Sequence, residues 1–120
     1  MVAGWQDCDP GYRFGPHIRR YTLLHYVESG RGVLYSRGAV WHVRAGQMFV
    51  ILPGEVTTYE ADREDPWHYR WVGFDGRLAQ SFSKLSPVVD VDSYYFQSLF
   101  TADISYKPCY RDRQKGLSGR

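Results

Sequence analysis

YTLLHYVESGRGVLYSRGAVWHVRAGQMFVILPGEVTTYEAD, residues Tyr21 to Asp62, packs four or five short apolar runs between glycine-bearing turns. Tyr21 to Glu28 is rich in β-branched and aromatic residues and is stopped by Ser29-Gly30-Arg31-Gly32, which predicts a strand. Val33 to Ser36 and Ala39 to Val43 flank Arg37-Gly38 and predict a hairpin. Ala45-Gly46 turns the chain into Met48 to Leu52, an unbroken apolar run. Such a run implies a strand buried on both faces and therefore central. Pro53-Gly54 ends it, Val56 to Tyr59 continues extended, and Glu60 to Pro66 is a charged loop. Short strands at this spacing predict a mainly β sandwich or small barrel, whose interior is the place to look for function.

The next strand, Trp67 to Phe74, sorts its side chains by alternation. Trp67, Tyr69, Trp71 and Gly73 share one face, and His68, Arg70, Val72 and Phe74 share the other. Three large aromatic groups followed by a glycine make the wall of a small-molecule pocket or, equally, a crowded aromatic core.

Outside this block the chain changes character. Residues 1–20 read as an irregular arm, bent at Asp9-Pro10-Gly11 and Phe14-Gly15-Pro16. Its aromatic residues Trp5, Tyr12 and Phe14 would lie over a barrel mouth or against the outer sheet. Within residues 77–105, Leu78, Phe82 and Leu85 have helical spacing, and a second short helix capped by Asp92 or Ser93 would carry Phe96, Leu99 and Phe100. Residues 106–120 lose apolar periodicity and read as a frayed tail or linker. With the strands in residues 21–76, the whole is one domain.

Fifteen basic residues against thirteen acidic ones give a net charge of +2, too small for a module that grips DNA alone. No apolar stretch is long enough to span a bilayer. Cys8 and Cys109 stand near opposite ends without metal-type spacing and read as free thiols of a cytoplasmic protein, with a disulfide as the lesser alternative.

The four histidines, at 17, 25, 42 and 68, form no His-X-His pair, and Thr57 and Thr58 follow the Pro53-Gly54 turn where a metal-binding barrel would bring another. No metal or other cofactor is expected. A Gly-X-Ser-X-Gly elbow and a glycine-rich phosphate loop are both missing from the sequence, so no catalytic residue is assigned. Binding remains. The aromatic share of 17% suits a sugar, whose C–H face can lie on an indole while tyrosine hydroxyls and an arginine meet its rim. Tyr59, Tyr69 and Trp71 supply that mixture, Arg19 or His25 adds a charged or switchable donor, and Tyr12 comes from the arm.

Leu23 to Gly76, with PGEVTTYEAD through PWHYRWVGF as its more specific part, resembles the N-terminal effector-binding domain of AraC-type transcription regulators. The arm with Cys8, Pro10-Gly11 and Phe14-Gly15-Pro16 fits the same family. The resemblance implies a cupin-like jelly-roll barrel with one or two short C-terminal helices and without the enzymatic cupins' metal ligands. It also implies a sugar or similar metabolite bound inside against Tyr59, Tyr69 and Trp71, and an arm that covers or responds to it. DNA would be reached only through a helix-turn-helix domain that this sequence lacks. A homodimer is the family's usual assembly, although the longer helical pair that mediates it is not evident past Ala102. A stand-alone cupin enzyme acting on a sugar or small acid is the alternative, and a domain that only mediates association is a third reading.

Overall fold

The computed structural model describes residues 2–74, 82–91 and 110–111. Its strands are β1 (Val2–Asp7), β2 (Arg13–Ile18), β3 (Thr22–Ser29), β4 (Arg31–Ser36), β5 (Ala39–Arg44), β6 (Gln47–Ile51), β7 (Val56–Ala61), β8 (His68–Phe74), β9 (Val88–Asp90) and β10 (Tyr110–Arg111). They form a six-stranded sheet in the order β10-β1-β8-β3-β6-β9 and a four-stranded sheet in the order β2-β7-β4-β5. All pairings are antiparallel except β1 with β10.

The unbroken run of β6 lies between β3 and β9 and serves two cores. Phe49 and Ile51 point between the sheets, where they meet Leu23, Val27, Tyr69 and Trp71 of the large sheet, Trp67 just ahead of β8, and Leu34, Val43, Tyr59 and Ala61 of the small sheet. Met48 and Val50 point to the other face, with Leu24, Tyr26, Val72, Phe74 and Phe82. Alternation in β8 follows the same division, as its side-chain period predicts. The turn at Arg37-Gly38 joins β4 to β5 with φ of 52° and 72°, the pair of positive values that a two-residue type I′ hairpin turn requires.

At the rim, Asp62 accepts from the backbone N–H groups of Glu64 and Asp65 at 2.9 and 3.0 Å and pairs with Arg31 at 3.1 Å. The charged loop is therefore shaped by its own acid, a local Asx-type arrangement.

Two expectations need correction. Most of residues 1–20 are not an irregular arm. β1 lies in register along β8, and β2 lies along β7 with a break between Phe14 and His17. Pairing partners at least 38 residues away supply the backbone bonds that local sequence does not announce. The expected helix ending at Leu85 has its described end in a turn at residues 82–84, followed by β9, and Phe82 and Leu85 cover the outer core. The second expected helix lies outside the described residues. Within the expected tail, residues 110–111 pair with Gly4 and Trp5.

Candidate functional site

The site is the aromatic interior between the sheets. His25 on β3 faces Phe49 on β6, Tyr69 stands on the neighbouring β8, and Tyr59 reaches in from β7 of the opposite sheet. The ring of His25 lies 4.9 Å from that of Tyr69, nearly perpendicular to it, and 5.0 Å from that of Tyr59. Trp67 extends the cluster, 5.3 Å from Phe49 and 5.9 Å from Tyr69. Trp71 stands opposite His25 in the β3–β8 register and belongs to the same core at 9% exposure.

The remaining predicted residues sit at the edge of this cluster. Arg19, half-buried between β2 and β3, places its guanidinium 5.0 Å over the Phe14 ring, within the range of a cation–π contact. Phe14 in turn lies 5.4 Å from Tyr59. Tyr12 packs partly buried against the inner core. All six predicted residues thus border one interior, although they come from five separate segments. Trp5 does not. It lies on the other face of β1, its ring 5.5 Å from that of His68. Gly73, on the same face as Tyr69 and Trp71, opens no space beside them, since a Cβ there would meet Tyr21 at 2.8 Å and Leu23 at 3.0 Å.

Burial sets the electrostatics. It drives the His25 imidazole well below its ordinary value near 6.5, and the charge of Arg19 acts in the same direction. His25 is therefore a neutral ring at physiological pH, and the switchable donor expected of it is not realised, because desolvation opposes the charged form. Burial pushes the Tyr59 phenol above its usual range, with Arg19 opposing in part. The Cys8 thiol is pushed up to about 12 by burial, so it is a protonated core group.

Several polar atoms inside have no protein partner. These include Gln6 Nε2 and His25 Nδ1, each on a residue at most 2% exposed. Gln6, Phe49 and Trp67 were not singled out from the sequence as site residues. Alternation along β8 gives the side of Trp67, and that of Phe49 follows once the unbroken run has a register. Gln6 carries no such signal, because its strand was not expected. Among the described residues no group of three or more His, Cys, Asp or Glu side chains is placed to hold a metal ion. No helix among them is long and apolar enough to cross a membrane. The chemistry this interior offers is recognition by aromatic faces and a few buried hydrogen-bonding atoms.

A profile of the AraC-like ligand binding domain matches residues 1–104. The chain belongs to this family. The resemblance read from Leu23 to Gly76 is borne out over most of the chain. This AraC-like domain is 39% identical over 84 residues to the Msm operon regulatory protein of Streptococcus mutans, covering 69% of the chain and 30% of that protein. It is 33% identical over 80 residues to the raffinose operon transcriptional regulatory protein of Pediococcus pentosaceus, covering 65% of the chain and 29% of the relative. The chain thus spans under a third of the length of these relatives. Its fold is similar to that of a Cupin 2 conserved barrel domain protein from Salinispora arenicola, with a TM-score of 0.52 at 21% identity over 68% of this chain and 65% of the other. The AraC-like domain therefore has a cupin-type β-barrel fold.

Proposed function

We propose that this AraC-like ligand binding domain is the non-catalytic sensor of a cytoplasmic transcription regulator and that its effector is a sugar. The sugar enters between the sheets and meets Tyr59, Tyr69 and Trp71, with Arg19, Tyr12 and His25 at the edges of the site. The observation that carries this reading is the set of buried polar atoms without partners inside an aromatic cluster. A buried donor or acceptor left unpaired costs about 1 to 3 kcal/mol, which a hydroxylated ligand recovers when it binds. The raffinose operon relative supports a sugar among the candidate effectors. Binding changes output only if the ligand prefers one of two arrangements of the regulator. That output passes to a helix-turn-helix DNA-binding domain outside this sequence, in a regulator that acts as a homodimer.

Thermal unfolding against a panel of mono-, di- and trisaccharides, raffinose among them, tests the reading. A sugar at about 100 times its dissociation constant stabilises the domain by about 2.7 kcal/mol, several degrees in the midpoint for a chain this size. Trp71→Phe reduces the shift, while Trp5→Ala, on the far face of β1, leaves it. A response equal in Trp71→Phe and wild type overturns the Trp71 contact, and no response across the panel sinks the sugar reading. The cupin-enzyme alternative, acting on a sugar or small acid, requires turnover, so quantitative recovery of the stabilising sugar after long incubation excludes its sugar-consuming form.

A further inference from the structure

Gln6 is the one side chain of its kind that β1 carries into the interior. It stands opposite Tyr69 in the β1–β8 register and is 1% exposed. The Tyr69 hydroxyl donates to Gln6 Oε1 at 3.1 Å, which fixes the carboxamide and leaves Nε2 with no partner. Turning the amide over would leave Oε1 unpaired in its place, so one polar atom remains in either orientation. A second such atom, His25 Nδ1, belongs to a ring centred 4.9 Å from Tyr69 and perpendicular to it. Tyr69 thus lies between two buried, unpaired hydrogen-bonding groups on different strands.

We propose that Gln6 determines effector specificity: its carboxamide and His25 Nδ1, on either side of Tyr69, each take a hydroxyl of a sugar or other polyol, which makes β1 one wall of the site. This rests on the sensor reading above and adds to it the residue that selects for hydroxyl groups. A hydroxyl both donates and accepts, so it satisfies either amide atom and either imidazole tautomer. An alkyl group in the same place satisfies neither. The strand read from sequence as an irregular arm therefore supplies the least replaceable contact, while the aromatic rings provide shape.

The test compares the wild-type chain with Gln6→Met/Tyr69→Phe, which replaces both members of the pair by apolar groups of similar shape. Without ligand, the double variant melts at or above the wild-type midpoint, because the unpaired atom leaves together with its partner. The probes are raffinose, galactose and the monodeoxygalactoses, titrated by tryptophan fluorescence. Wild type binds the parent sugar about tenfold more tightly than the analogue lacking the hydroxyl that Gln6 takes, and the variant binds both equally weakly. A double variant that melts several degrees below wild type makes Gln6–Tyr69 a structural pair and overturns the proposal. Retained discrimination between parent and deoxy sugar in the variant overturns it as well. If wild type binds none of the probes, the sugar effector is overturned together with the class assigned to Gln6. Failure of the sensor reading thus appears in wild type, and failure of the Gln6 assignment appears in the variant.

Discussion

His25 lies flat on Phe49, the ring centroids 4.3 Å apart and the planes 6° from parallel, as directly opposed residues of β3 and β6. The imidazole works here as an aromatic slab. Its basicity is suppressed by burial first and by Arg19 second. The folded protein therefore resists a proton that the unfolded chain accepts near pH 6.5. Stability is full above that value and is lost as pH falls below it, with a slope that approaches about 1.4 kcal/mol per pH unit for one proton. Urea unfolding between pH 8 and pH 5 should show that decline. His25→Phe, which keeps the stack and cannot titrate, should flatten it. An unchanged slope in His25→Phe would assign the decline to other groups, of which exposed His17 shares the sign.

Gly32 is a spacer for Trp67. A Cβ at position 32 would sit 2.4 Å from the indole ring and 2.6 Å from the Glu60 carbonyl, and neither the buried indole nor a paired backbone can yield cheaply. Gly32→Ala is expected to cost about 1 to 3 kcal/mol, the range for overpacking a tight core. Gly38→Ala meets no atom within 4 Å, so its cost comes only from its positive φ. Chemical denaturation of the two variants separates crowding from backbone strain. A Gly32→Ala as stable as wild type would show that the sheets can part to admit a methyl group.

Cys8 should be silent toward thiol reagents. It is buried against Tyr69 and Trp67 within the inner core, and with its thiol raised to about 12 the reactive thiolate is scarce at neutral pH. In a Cys109→Ser chain, Ellman's reagent should report no fast thiol until denaturant is added. Stoichiometric labelling of the native chain within minutes would mean that β1 opens readily from β8.

The two faces of β8 are legible from alternation alone, because one face of the strand is buried between the sheets and a one-residue slip would exchange the sides. The Arg37-Gly38 hairpin and the doubly buried β6 are legible for the same local reasons, turn chemistry and the absence of polar breaks. Tyr59, Tyr69 and Trp71 could be named from residue type and strand position. Gln6 could not, since an amide beside Trp5 and Asp7 looks like surface until β1 has a partner. For Trp5 the sequence left two places open, over a barrel mouth or against the outer sheet, and it lies on the outer face beside His68 because it is adjacent to Gln6, which points inward.

What the sequence determines by itself is the part of this protein that depends on neighbours two to five residues apart: strand periodicity, tight turns, the lack of clustered metal ligands, and the set of aromatic residues offered to an interior. What only the tertiary structure decides depends on partners more than sixty residues away. The pairing of β1 with β8 brings Gln6 to Tyr69, and the closing of two sheets around His25 removes its charge. Both effects come from desolvation and from backbone pairing between distant segments, which no local window of sequence contains.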